Sequence, residues 1–135
     1  MMTTESMLTE MATGKQICVE CQTTCINTLQ YCKTQGGQYM DMTMMSMIRD
    51  CAEMCMMCVN MMNDGSEFMG NACSLCAQIC ERTAMACEQM TNDATMSLCA
   101  AICRQCAAVC HQMGLNSASY FRRSSLVTED ALLSS

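Results

Sequence analysis

The chain has 135 residues, no proline, 4% aromatic residues, 15 cysteines, 19 methionines and a formal net charge of -6. That length suffices for one domain with a buried core, and the lack of proline favours long helices. The acidic balance with scattered Lys and Arg argues against nucleic acid as a partner, and no apolar run approaches the roughly 20 residues of a membrane span. The segment Met1 to Ser6 lacks the basic and apolar regions of a signal peptide, so a cytoplasmic address is expected. Thiols are held reduced in that compartment, and a cysteine-rich chain there reads as metal-binding more than as disulfide-stapled. The odd cysteine count agrees, because complete intramolecular pairing is impossible.

The first predicted helix covers about 5–35, capped by Thr3 or Thr4, with Glu5 in its first turn. Met7, Met11, Cys18, Cys21, Cys25 and Cys32 form one stripe on it, and Gly36-Gly37 ends it. The second covers about 41–63 and carries Met44, Ile48, Cys51, Cys55, Cys58 and Met62 before the Asp64-Gly65 turn. A third, about 67–91, is expected to be capped at Ser66 and carries Met69, Cys73, Cys76, Cys80, Cys87 and Met90. Thr91-Asn92-Asp93 breaks it and caps a fourth, about 94–113, with Met96, Cys99, Cys103, Cys106 and Cys110, ending near Gly114. Residues 1–114 therefore read as the folded unit, and for the tail 115–135 the composition leaves disorder and docking both open.

Four helices with short connections and one apolar stripe each predict an all-α fold: an antiparallel up-down-up-down four-helix bundle with a cysteine-lined core. The chain is also an internal duplication. Helices one and three share Cys-x2-Cys-x3-Cys-x6-Cys, with Thr28 and Thr83 at the skipped heptad position. Helices two and four share Cys-x3-Cys-x2-Cys, and Met62 stands where the fourth helix has Cys110. This substitution keeps a soft sulfur at the position, which makes Met62 a candidate ligand beside its bland reading as a core gap-filler.

Cysteine packs less apolar volume than leucine, so four thiol stripes make a poor purely structural core, and metal ions are expected to fill it. Thiolates with thioethers favour Cu(I), with zinc and iron-sulfur clusters as the thiolate alternatives. Residues four apart, as in Cys21/Cys25, Cys51/Cys55, Cys76/Cys80, Cys99/Cys103 and Cys106/Cys110, sit about 5 to 6 Å apart at Cβ. Such a pair suits a near-linear Cu(I) ion and leaves zinc under-coordinated. Charge gives the stoichiometry. Buried thiolates must be neutralised, so a monovalent ion implies about one metal per thiolate, or roughly 15 Cu(I), and zinc about half that. An antiparallel bundle gathers Met11, Cys18, Met62, Met69, Cys73, Cys110, His111 and Met113 at one end and Cys32, Met44, Met47, Cys87, Met90 and Met96 at the other. His111, the only histidine, is a candidate metal ligand next to Cys110, with a surface role equally open. The run Met40 to Met47 covers more than one helix face, so some of its methionines are expected at the surface or against a subunit.

From about Met7 to Met113, the four cysteine stripes, the repeated Cys-x3-Cys pairs and the Met and His at a bundle end resemble the bacterial copper storage proteins. That resemblance implies multiple Cu(I) ions held by thiolates, a homo-oligomer of four bundles, and exchange with a copper chaperone or acceptor protein. It implies storage or detoxification and no enzyme activity; lack of a leader resembles the cytosolic branch. The sequence differs from the family in its methionine content, in Met62 and in the tail. Metallothionein-like zinc sequestration and an iron-sulfur electron carrier stand as alternatives. No Ser/His/Asp constellation, phosphate loop or Rossmann glycine pattern is present.

Overall fold

The computed structural model of the protein describes residues 3–133, with side chains over 3–117. Four helices follow in order: α1 (Thr4–Gln35), α2 (Met42–Asp64), α3 (Met69–Glu88) and α4 (Ala94–Leu133). A short 3-10 helix, Gly37–Met40, joins α1 to α2. Each helix packs on its two neighbours around the square, α1 on α2, α2 on α3, α3 on α4 and α4 on α1, which is the antiparallel four-helix bundle. Among the described residues there is no strand, and no helix is long and apolar enough to cross a membrane.

Local chemistry sets most of the ends. Thr3 accepts the Ser6 N–H at 3.0 Å, Asp41 the Met44 N–H at 3.0 Å, and Asp93 the Met96 N–H at 2.9 Å, satisfying orphan donors of three first turns. Gly36 and Gly65, at φ 69° and 65°, end α1 and α2 in a region that a side chain disfavours.

Two ends differ from expectation. Ser66 does not cap α3; its hydroxyl accepts the Phe68 N–H at 3.1 Å and builds a turn, so the helix opens at Met69. The helix expected to stop near Gly114 continues to Leu133. Gly114 does not take the positive φ of a helix-ending glycine; a Cβ there would collide with the Ser74 hydroxyl and meet the Gly70 carbonyl at 3.4 Å. Across the crossing, a Cβ on Gly70 would collide with the Ser117 side chain. These glycines let α3 and α4 approach closely and do not interrupt the helix. Residues 115–133 thus extend α4, while docking of the tail concerns side chains from 118 onward, outside those described.

The interior is the sulfur stripe. All fifteen cysteines are 0% exposed, joined by fully buried Ile48, Met96 and Met113. Thr28 and Thr83, the two polar residues of the stripes, are buried and return their hydroxyls to the Thr24 and Ile79 carbonyls at 2.7 and 2.8 Å. Thr83 also lies 3.1 Å from the Met47 carbonyl of α2. Satisfied in this way, a hydroxyl sits in the core without the penalty of an unpaired polar group. Of the methionine run, Met44 turns inward and Met42 and Met40 are exposed, as a run covering more than one face requires.

Candidate metal centre

Four helices bring their thiols to one axis, and the short cysteine side chain makes the distance across that axis as small as the distance along a helix. Cys51 and Cys80 have their sulfurs 3.5 Å apart, and Cys18 and Cys110 3.6 Å apart. Cys55 lies 3.8 Å from both Cys76 and Cys106, and Cys21 lies 3.8 Å from Cys51 and 3.9 Å from Cys103. Of the pairs four residues apart in one helix, Cys76/Cys80 and Cys106/Cys110 approach to 3.8 and 3.9 Å. The expected unit was the intrahelical pair; the observed one is mainly interhelical.

Three groups of four sulfurs follow, each within 4.8 Å: Cys18, Cys76, Cys106, Cys110; Cys21, Cys55, Cys80, Cys106; and Cys21, Cys25, Cys51, Cys103. Cys106 joins the first to the second and Cys21 the second to the third, so the groups form one continuous path. With metal–sulfur bonds of about 2.3 Å, sulfurs stand about 4.6 Å apart across a linear ion and about 3.8 to 4.0 Å apart around a three- or four-coordinate one. The observed spacing serves bridging coordination with small adjustments. It also corrects one argument from the sequence: zinc is not under-coordinated here, because each group supplies four sulfurs. What still separates the metals is charge, since divalent ions on shared, overlapping tetrathiolate groups leave excess negative charge in the core.

The electrostatics of the thiols point the same way. A thiolate at Cys18 is held by the S–H groups of Cys106 and Cys110, which pulls it down to about 5. Cys73 is pushed up to about 12, first by its contact with Cys110 and then by burial. Burial raises the Cys32 thiol, with the charges of Cys99 and Asp93 adding to it. The row therefore tolerates an isolated thiolate and opposes adjacent ones until a cation neutralises them.

The two ends of the path differ. At one, the Met113 and Met62 side chains converge on Gly14, where a Cβ would collide with the Met113 sulfur and lie 3.6 Å from that of Met62. Met62 is 3% exposed, so the sulfur replacing a cysteine of the repeat is in the core. His111, one residue beyond Cys110 and so about 100° around the helix, is on the exposed face. At the other end the Cys32 sulfur lies 3.9 Å from that of Met96, with Met44 buried nearby on the stripe of α2. There the Asp93 carboxylate accepts both phenols, Tyr31 at 2.6 Å and Tyr39 at 2.7 Å, whose rings meet edge to face at 5.8 Å. The Tyr31 phenol, the Met96 N–H and the Tyr39 phenol hold the Asp93 carboxyl below its usual range, and Asp93 pushes Tyr39 up to about 12.

Sequence reading missed Gly14 and the Tyr31–Asp93–Tyr39 cluster. Gly14 had a signal, because it falls on the stripe four residues before Cys18, where the repeat places Met69 before Cys73. The cluster had only a weak one: two tyrosines flank Gly36-Gly37, and the antiparallel topology puts that loop beside the α3–α4 connection.

Solved structures share the fold. The crystal structure of Nmul_A1745 protein from Nitrosospira multiformis superposes with a TM-score of 0.74 at 31% identity, covering 79% of this chain and 96% of that one. The Cu(I)-bound copper storage protein BsCsp3 gives 0.73 at 28% identity, covering 78% and 98%. YhjQ of Bacillus subtilis (strain 168), described as an uncharacterized cysteine-rich protein, is 31% identical over 78 residues, 58% of this chain and 72% of its own length. Residues 7–115 match the family described as copper storage protein, a span that takes in every cysteine and both thioether ends. The chain belongs to the copper storage protein family.

Proposed function

We infer that the chain stores multiple Cu(I) ions in its bundle core, roughly one per cysteine, as a reserve or as protection from excess copper. The observation that carries this is the continuous path of buried sulfurs linking three four-thiol groups through Cys21 and Cys106. A catalytic metal site needs few ligands and an open position, whereas this path offers fifteen thiols, all fully buried. The reading is therefore of a binding protein and not an enzyme. Its ligand set is Cys18, Cys21, Cys25, Cys32, Cys51, Cys55, Cys58, Cys73, Cys76, Cys80, Cys87, Cys99, Cys103, Cys106 and Cys110, with Met62 as a thioether at one end. His111 belongs to the set as an outer donor beside Cys110. The protein works in the cytoplasm, exchanges copper with a chaperone or acceptor protein, and assembles as a homo-oligomer. An apolar groove of about 490 Å³ between α1 and α2, lined by Ile26, Leu29, Met56 and Met57 among others, supports that last point.

Replacing Cys51 and Cys55 by serine should lower Cu(I) capacity by about two ions with the helical circular dichroism signal retained, from the one-metal-per-thiolate balance. Unchanged capacity would refute the assignment of these two thiols.

Loading is expected to release protons. Cys32 and Cys73 are held above the ordinary thiol value of 9.0, so they are protonated at neutral pH, and each must lose its proton to bind copper. Protons should therefore appear in weakly buffered solution as these thiols load, and affinity should rise with pH. The same shifts set stability without copper. A thiol raised in the fold stabilises the bundle below the unfolded value of 9.0 and ceases to do so as pH rises toward about 12. Urea titrations should therefore show the copper-free protein weakening above pH 9 and the loaded protein unaffected.

A further inference from the structure

We propose that Met96 is a copper ligand, and that its thioether and the Cys32 thiolate hold one Cu(I) between them, a mixed-sulfur site where the last turns of α1 meet the first turn of α4.

Cys32 stands apart from the rest of the row. It belongs to none of the three four-sulfur groups, and its thiol donates to the Met96 sulfur of α4 at 3.9 Å. Both residues are 0% exposed, so neither sulfur meets solvent. The proton of that S–H lies where a soft ion would sit, between the sulfurs of a thiol and a thioether. Loading exchanges the two cations: the S–H bond breaks, Cu(I) bonds to both sulfurs, the proton leaves to solvent, and the charge of the site is unchanged. A separation of 3.9 Å suits two donors on a three-coordinate ion, and the three rotatable bonds of methionine let it open to the about 4.6 Å of a linear one.

A neutral partner is what this position requires. Inside the row each thiolate can bridge two ions, so one thiolate per ion supplies two bonds to each. Where the row stops, the last ion has one thiolate and lacks a second donor. Another thiolate would add a negative charge with no cation to balance it, whereas a thioether completes the coordination without charge.

Packing alone does not call for sulfur at 96. In the repeat, Cys51/Cys55/Cys58 of α2 match Cys99/Cys103/Cys106 of α4, which sets Met96 against Ile48, and Ile48 fills its place at 0% exposure. The backbone on both sides is held before any metal arrives. Asp93 accepts the Met96 N–H at 2.9 Å and the Tyr31 phenol at 2.6 Å, which ties the first turn of α4 to the residue preceding Cys32. The site rests on the copper storage reading for the identity of its metal.

Native mass spectrometry, which counts ions singly, and methionine-methyl NMR test it on the full, reduced chain titrated with Cu(I). Met96→Ile, the residue its repeat partner already carries, should hold about one ion fewer than the native chain, and Cys32→Ala also about one fewer. The double variant should hold no fewer than either, because all three lose the same ion. The Met96 methyl signal should shift at saturation in the native chain and keep its copper-free position in Cys32→Ala, whose other thiols still fill. If Met96→Ile does not fold, these two spectra decide. A methyl unmoved at saturation, a methyl moved equally in Cys32→Ala, or a folded Met96→Ile protein with the native count would overturn the site. Saturation near about 15 ions with an unmoved methyl refutes the site and leaves storage standing. Saturation at about three ions with a shifted methyl refutes storage and leaves the site, and a chain that binds no copper refutes both.

Discussion

Serine at both Cys21 and Cys106 is expected to remove about four Cu(I) ions from a capacity of roughly 15, against about two for a peripheral pair such as Cys32→Ser/Cys87→Ser. Each of the two central sulfurs belongs to two four-sulfur groups, and without them the three groups shrink to three, two and three thiols. A bridging thiolate serves more than one ion, so its loss leaves neighbouring ions short of a ligand as well as removing one charge. The fold should survive. A hydroxyl at these sites has the i-4 carbonyl to bond, as Thr28 and Thr83 do in the same core. Metal analysis after gel filtration reads the result beside far-ultraviolet circular dichroism. Equal losses from the central and peripheral pairs would mean that the sulfurs bind independently and the shared-thiol path has no role.

The largest effect on stability is expected at the α3–α4 crossing. Gly114→Leu drives a side chain into Ser74 and toward the Gly70 carbonyl, 3.4 Å from even a Cβ, and helix backbone cannot yield as a side-chain tip can. Overpacking of this kind costs about 3 kcal/mol, to be read as a lower urea midpoint at unchanged slope. Parting α3 from α4 also separates Cys76 from Cys106 and Cys110, so copper affinity should fall with it. Gly14→Ala is the contrast. Its Cβ meets the sulfur end of Met113, a flexible side chain that can swing away, so stability should change little. A Gly114→Leu protein within about 0.5 kcal/mol of the native one would contradict the tight crossing.

The same two glycines show what was legible in the sequence. Four stripes at helical spacing fixed the helix faces, because a period near 3.6 allows only one surface to be apolar; hence the bundle, its antiparallel order and the buried cysteines could be read directly. Gly114 was misread as a helix stop because glycine serves both for left-handed turns and for close helix packing, and only the neighbour, Ser74 on α3, distinguishes them. Sulfur pairing was misassigned for a related reason. Spacing along one helix gives distances within that helix, while the interhelical 3.5 Å approach of Cys51 to Cys80 depends on how two helices slide past each other. Met62 was legible through the repeat, which compares two helices of the chain and so carries tertiary information. The Tyr31–Asp93–Tyr39 cluster was not, since residues in two connections are brought together only by the packed bundle.

The most direct measurement is an anaerobic titration of the fully reduced chain with Cu(I) against a competing chelator, counting copper bound per chain at saturation. The expected result is a capacity near the count of 15 cysteines with affinity sufficient to strip the chelator. Saturation at about three ions, one for each four-sulfur group, would contradict a storage core and favour a protein that holds a few tetrathiolate metals.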